Sequence, residues 1–142
     1  MIGVDVVGLD RIERIEREYR RSAHERLLDP GERERVGRLG PGESAFALAA
    51  ALGAKEAWLK AHGRRPPDWA FADARYEPRR DACGDPRGGD GPPEAAAWFI
   101  DRFRADLGTP VEASGRVGGA PMADGWACHA RLGRWLVAAV IL

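Results

Sequence analysis

One segment in the middle of the chain is apolar on almost every side and carries helix signals at both ends. Residues 44–62 are rich in alanine, Ser44 stands at a suitable N-cap position, and Gly63 stands where a helix would stop. Between Phe46 and Leu52 the side chains leave no polar face. Because a helix that is apolar all round must be surrounded by other elements, we predict a central buried helix.

The elements predicted on either side of this helix indicate an α+β fold. Their types follow from the spacing of apolar residues and from capping and turn residues. In chain order they are a buried strand at 1–7, an amphipathic helix of about three turns over Leu9–Tyr19, a short helix that starts at Asp29-Pro30-Gly31-Glu32 and ends near 40–42, the central helix, a strand at 69–76, a turn-rich loop at 78–93, a helix at 94–107, an unassigned glycine-rich stretch at 109–125, and strands at 126–129 and 135–142. This order predicts helices packed on an antiparallel sheet in a single domain, 1–142.

Charge and cysteine content exclude several classes of function. The 142 residues carry 22 basic and 22 acidic side chains, so no overall basic excess favours nucleic acid as a partner. Cys83 and Cys128 are too few for a disulfide framework or a zinc motif. Asp5 and Asp10 interrupt the apolar run that a signal peptide needs, and Trp135–Leu142 is too short to span a bilayer. We therefore expect a cytoplasmic protein with no membrane partner.

The two lysines of the chain, Lys55 and Lys60, both lie in the predicted central helix, and every other basic residue is an arginine. Lys60 follows Glu56 by four residues, so the two side chains share a face of the helix. One interpretation is a surface ion pair that contributes a few tenths of a kcal/mol. The other is a carboxylate that holds Mg²⁺ beside an ammonium that binds a phosphate. Lys55 lies about 100° around the helix from Glu56, and the sequence indicates no role for it.

Further residues are candidates for chemistry or binding, each with a structural alternative. Asp5 either pairs with an arginine or caps a strand end, or it forms a magnesium site with Glu56. His129 is either a core histidine or a group that donates to a phosphate or acts as acid or base, and Cys128 is expected to be a small core residue. Arginines along the first helix form either a solvated mixed-charge face or a docking face for an acidic partner. The docking residues would be Arg11, Arg14, Arg17 and Arg21.

Taken together, these segments resemble the holo-acyl-carrier-protein synthase family, the small 4′-phosphopantetheinyl transferases. Residues 2–12, IGVDVVGLDRI, are similar to the family's opening GIGIDIVEIxRI, and residues 51–63, ALGAKEAWLKAHG, are similar to its RFAAKEAxxKAxG motif. Three shorter segments look like the family's LTxxE segment, its G-x-P turn and its S-x-S-H strand, namely residues 27–32, 84–86 and 126–129. The similarities occur in the family's order along nearly the whole chain.

The resemblance implies a reaction and a set of site residues. Coenzyme A is the substrate, Asp5 and Glu56 hold Mg²⁺, and Lys60 contacts the phosphates and assists proton transfer. Gly63 and His129 join Lys60 in binding coenzyme A. A serine hydroxyl of an apo acyl carrier protein attacks the β-phosphate, phosphopantetheine is transferred, and 3′,5′-ADP leaves. The family is typically homotrimeric, with active sites between subunits, and serves fatty-acid or polyketide biosynthesis. Its carrier proteins are acidic, which would give the arginines of the first helix a purpose.

The chain also departs from the family pattern, chiefly near the expected nucleotide subsite. Ala51 stands in place of an arginine, Gly8 in place of an acidic residue, and Trp126 and Cys128 in place of two serines. Residues 109–125 look like an insertion. The alternative function is therefore a non-catalytic or repurposed member of the fold that binds a carrier protein or acts on a carrier-bound substrate.

Overall fold

One antiparallel sheet organises the residues that the computed structural model describes, which are 1–79, 94–109, 111 and 113–142. Its strands are β1 (Ile2–Gly8), β2 (Arg75–Arg79), β3 (Ala113–Gly119), β4 (Met122–Leu132) and β5 (Trp135–Ile141), in the spatial order β1-β5-β4-β3-β2. The helices are α1 (Leu9–Leu27), α2 (Pro30–Gly37), α3 (Pro41–His62) and α4 (Glu94–Leu107), with a short 3₁₀ helix at Phe71–Asp73. The predicted α+β class, with helices on an antiparallel sheet, is confirmed.

The central buried helix is α3, as predicted, but it begins earlier than the sequence indicated. Gly40 is the N-cap and Pro41 the first helical residue, a position that suits a residue without an N–H. Ser44 is therefore not the N-cap. It is buried inside the helix, where its Oγ donates to Oε1 of Glu16 over 2.6 Å. The predicted stop at Gly63 is confirmed, since its φ of 66° lies in the left-handed region that glycine adopts freely.

Two glycines let α3 lie directly on strands β1 and β5. A Cβ at Gly3 would stand 1.9 Å from the carbonyl oxygen of Ala57, so only glycine permits this contact between strand and helix backbone. A Cβ at Gly53 would stand 3.1 Å from the Cβ of Ala138 on β5. This packing fixes which strand residues lie beneath the helix and which flank it.

The opposite face of the sheet is covered in part by α4, which has the bounds that the sequence predicted. Phe99 and Ile100 of α4 pack with Cys128 of β4 and Ala139 of β5 in a small cluster. Burial raises the pKa of Cys128 to about 12, so the thiol stays protonated. The prediction of a core residue, as opposed to a nucleophile, is confirmed.

The first two helices follow their predictions at the start and differ at the end. Helix α1 runs to Leu27, well beyond three turns, and Tyr19 interrupts it with non-helical angles (φ −136°, ψ 21°). Tyr19 is exposed, so the prediction that it belongs to the apolar face of α1 is wrong. Helix α2 has the predicted capping box of Asp29 and Glu32, but it ends at Gly37, before residues 40–42.

The remaining sequence predictions concern the segments after α3, and the structure confirms them only in part. The strand predicted at 69–76 is largely wrong, because a 3₁₀ turn occupies its middle and β2 begins only at Arg75. Residues 78 and 79 of the predicted loop belong to β2, and the rest of it, 80–93, lies outside the described residues. The unassigned stretch 109–125 contains β3 and the start of β4. In the part of the chain described here, no helix is long and apolar enough to cross a membrane.

Candidate functional site

Asp5 and Lys60 meet where strand β1 passes under the last turns of α3. The Lys60 Nζ donates to Oδ1 of Asp5 over 2.7 Å and to the carbonyl oxygen of Val4 over 3.2 Å. Asp5 thus pairs with a lysine and not with an arginine, and Lys60 forms its ion pair with Asp5 and not with Glu56. The Lys60 side chain is 53% exposed, so it remains available to a ligand.

Glu56 is the second carboxylate of this cluster. Burial raises the pKa of Glu56, the negative charge of Asp5 raises it further, and Lys60 and Arg65 oppose the change. Two carboxylates that repel each other are stabilised by a shared cation. Among the described residues no group of three potential ligands is present, so these two carboxylates would form a partial shell. That donor set fits Mg²⁺, which typically takes one or two carboxylates and fills its shell with water and substrate phosphates.

His129 lies on β4, buried beside a separate cavity of about 590 Å³. Its Nδ1 is 3.1 Å from the hydroxyl of Tyr76, and the ring of Phe46 packs edge-on at 5.7 Å between centroids. Burial lowers the pKa of His129 to about 4, so the ring is neutral at pH 7. The charged side chains that line the cavity with it are Arg35, Glu43 and Arg131. The structure therefore confirms a buried core histidine, and the role of His129 towards a phosphate stays a prediction.

Within one chain, helix α3 separates this cavity from the carboxylate cluster. Ala138 of β5 pairs with Asp5 on one side and with His129 on the other. The same Ala138 lies against α3 at Gly53. The helix consequently runs between the two side chains, and neither Asp5 nor Glu56 lines the His129 cavity. The residues proposed for one site thus form two half-sites in a single copy.

The other predicted binding residues lie on the surface. Gly63 follows the last turn of α3, and its N–H donates to the carbonyl oxygen of Lys60 over 3.1 Å. The four arginines predicted for partner docking are all exposed on α1, and two of them pair with nearby glutamates, Arg17 with Glu18 and Arg21 with Glu25. These residues are Arg11, Arg14, Arg17 and Arg21. The arrangement is a mixed-charge surface that is available to an acidic partner.

Lys55, for which the sequence indicated no role, is a buried link between three segments. Its side chain is fully buried, and Nζ donates to Oε2 of Glu32 over 2.5 Å and to the carbonyl oxygens of Leu27 and Phe71 over 2.8 and 2.9 Å. Glu32 also accepts from the backbone N–H groups of Asp29 and Tyr76. The available signal was a charged residue in a helix predicted to be buried, because a buried charge requires a counter-charge.

Comparison with known proteins shows to which family the chain belongs. The profile of the 4′-phosphopantetheinyl transferase superfamily matches residues 1–104, which include Asp5, Glu56 and Lys60 but not His129. A holo-[acyl-carrier-protein] synthase of Geobacillus kaustophilus is 44% identical over 62 residues, a stretch that is 44% of this chain and 47% of that protein, so the alignment spans about half of each.

Solved structures of such synthases share the fold along the whole chain. That of Bacillus anthracis in complex with coenzyme A (3′,5′-ADP) is 21% identical, with a TM-score of 0.62 over 98% of this chain and 91% of that one. That of Neisseria meningitidis is 23% identical, with a TM-score of 0.58 over 98% and 94%. At these identities the likeness concerns the fold, while the profile match covers most of the sequence. This chain therefore belongs to the 4′-phosphopantetheinyl transferase superfamily.

Proposed function

We propose that this chain transfers 4′-phosphopantetheine from coenzyme A to a serine of an apo acyl carrier protein and releases 3′,5′-ADP. The observation that carries the proposal is the cluster of Asp5, Glu56 and Lys60 at the crossing of β1 and α3. Phosphoryl transfer requires positioning and neutralisation of charge more than covalent help from the protein, and this cluster offers both.

Each residue of the cluster has a role that its position supports. Asp5 and Glu56 would hold Mg²⁺, which supplies positive charge to the pyrophosphate when it is bound. Lys60, whose side chain is half exposed, would donate to the phosphate oxygens and assist proton transfer. Gly63 lies at the end of the same helix, where the absence of a side chain would leave room for coenzyme A. In the reaction the serine oxygen forms a bond to the β-phosphorus, its proton passes to solvent water, and the bond from that phosphorus to the oxygen of the leaving 3′,5′-ADP breaks.

The proposal includes a homotrimer whose neighbouring subunits complete each site. Because α3 lies between His129 and the carboxylates in one copy, we infer that the two act on the same coenzyme A molecule from neighbouring copies. The face of β1 that points away from α3 also carries an exposed apolar strip of Ile2, Val4 and Val6, which are 56%, 46% and 55% exposed. Contiguous exposed apolar residues on a sheet are typical of protein interfaces.

The proposed partner is an acidic carrier protein, and the proposed location is the cytoplasm. The exposed arginines of α1 begin directly after β1, which holds Asp5, so a carrier protein that docks on them lies close to the reacting phosphate. They are Arg11, Arg14, Arg17 and Arg21.

The test is a transfer assay with coenzyme A, Mg²⁺ and a panel of fatty-acid and polyketide apo carrier proteins, read by mass spectrometry. A carrier protein that gains the mass of phosphopantetheine supports the proposal. Glu56→Gln should abolish the gain in a folded protein, whereas Glu77→Gln, which removes an exposed carboxylate on β2, should leave it intact. If a folded wild-type protein modifies no carrier protein, the proposal is wrong. Binding of a carrier protein without transfer would then favour the non-catalytic alternative.

A further inference from the structure

The contact between Tyr76 and His129 determines which ring nitrogen of the histidine carries the proton. The Tyr76 hydroxyl lies 3.1 Å from Nδ1. A phenol O–H is a stronger donor than a neutral imidazole N–H, and an imidazole lone pair is a stronger acceptor than a phenol oxygen. We therefore assign the hydrogen bond as donated by Tyr76 to Nδ1, which leaves the ring proton on Nε2.

The Nε2 atom of His129 is free to serve a ligand. Among the described residues, no protein group forms a hydrogen bond with it, while the ring lines the cavity beside Arg35 and Arg131. An N–H donor beside two guanidinium groups matches the chemistry of a phosphate oxygen, which accepts hydrogen bonds and carries negative charge.

We propose that Tyr76 is a positioning residue for the binding of coenzyme A, because its hydrogen bond to Nδ1 holds His129 as an Nε2–H donor to a phosphate oxygen. The inference rests on the proposed function, in which His129 binds coenzyme A. Tyr76 is anchored for this task, since its side chain is buried and its carbonyl oxygen accepts from Nη2 of Arg35 over 3.0 Å. One residue of β2 thus connects the histidine with one of the two arginines.

The surroundings of His129 keep this donor neutral over the pH range in which such an enzyme works. The titratable groups that face the cavity are Arg35 from α2, Glu43 from α3, Tyr76 from β2 and Arg131 from β4. Burial lowers the pKa of His129 to about 4 and raises that of Tyr76, so neither group changes its charge between pH 5.5 and 8. The contact with a phosphate is therefore a hydrogen bond from a neutral ring.

Nitrogen-15 NMR of histidine-labelled protein tests the hydrogen bond directly. The chain has three histidines, and loss of a signal in His129→Gln assigns the one of interest. We expect an unprotonated Nδ1 and a protonated Nε2 at pH 7, with the Nδ1 resonance displaced in Tyr76→Phe. A protonated Nδ1 in the wild-type protein would overturn the inference.

Calorimetric titration with 3′,5′-ADP tests the consequence for binding. Tyr76→Phe should raise the Kd about 2- to 10-fold, the effect of one net hydrogen bond. The matched control is Tyr19→Phe, the same loss of a hydroxyl at the exposed second tyrosine of the chain, and it should leave the Kd unchanged. In the transfer assay, Tyr76→Phe should raise KM for coenzyme A and leave kcat and KM for the carrier protein as they are.

The possible failures are distinct. Equal Kd values for the wild-type protein and Tyr76→Phe would refute the positioning role and leave the proposed function standing. If the wild-type protein binds neither coenzyme A nor 3′,5′-ADP, the proposed function fails together with the role of Tyr76 in binding. Whether or not coenzyme A binds, the NMR experiment tests the hydrogen bond between Tyr76 and His129.

Discussion

The buried ion pair between Lys55 and Glu32 provides the sharpest prediction about stability. Both side chains are fully buried, and Lys55 donates three hydrogen bonds that connect α3 to the end of α1, to α2 and to the 3₁₀ turn. Lys55→Met keeps the length of the side chain but leaves the Glu32 carboxylate without its counter-charge and two carbonyl oxygens without a donor. Removal of one partner from a buried pair costs about 3–5 kcal/mol, a large part of the stability of a domain of this size.

Urea unfolding measures the effect, and the other lysine of the chain is the matched control. Lys60→Met removes an ion pair whose lysine side chain is 53% exposed, and such pairs contribute at most about 1 kcal/mol. The double variant Lys55→Met/Glu32→Gln should be destabilised by less than the sum of the two single variants, because it no longer buries an unpaired charge. A loss of less than about 1 kcal/mol in Lys55→Met, or strict additivity of the two changes, would refute this reasoning.

Three further predictions concern packing, pH and assembly. Gly3→Ala should destabilise the fold by about 1–3 kcal/mol or more in the same urea experiment, because its Cβ would meet the backbone of α3. The control is Gly37→Ala, which should be neutral or stabilising because a Cβ there meets nothing within 4 Å. Because the pKa of His129 is about 4 in the folded protein and 6.5 in the unfolded chain, the unfolded state binds more protons between these values, and stability should fall by on the order of 3 kcal/mol as the pH drops from 7 to 4. His129→Gln should remove that part of the slope, and an identical slope in both proteins would contradict the burial argument. If the proposed homotrimer forms through this strip, Val4→Glu/Val6→Glu should sediment as a monomer in analytical ultracentrifugation and should not transfer phosphopantetheine. A sedimentation coefficient equal to that of the wild-type protein would show that this strip is not the interface.

Local sequence patterns were sufficient for much of the fold. The capping residues predicted where α2 begins, and the apolar spacing with a terminal glycine predicted the central helix α3 and its end. The prediction of Ser44 as the N-cap of α3 is wrong, because Gly40 is the N-cap and Pro41 already provides a helix start. The predicted strand at 69–76 was largely wrong because its aromatic residues pack in a turn, where Trp69 and Phe71 lie 5.1 Å apart between ring centroids.

The candidate site likewise contains some contacts that local spacing predicts and others that depend on the tertiary fold. Glu56 and Lys60 are four residues apart on one helix, so their spacing alone predicts that they share a face. The contact of Lys60 with Asp5 joins residues far apart in the chain. The sequence indicated their proximity only as one of the alternatives for Asp5, a magnesium site with Glu56, and through the motif resemblance. The contacts of Lys55 with Glu32 and of His129 with Tyr76 depend on tertiary packing, and no local pattern encodes them.

Subunit complementation tests most directly whether one active site combines the carboxylate cluster of one copy with His129 of another. Glu56→Gln should be inactive, and His129→Ala should have a raised KM for coenzyme A, so at a coenzyme A concentration well below its KM each variant alone should transfer little. When equal amounts are unfolded and refolded together, about one quarter of the sites should combine an intact Glu56 with an intact His129 from the neighbouring subunit, and transfer activity should return in that proportion. Mixed oligomers that form but recover no activity would contradict a site shared between subunits.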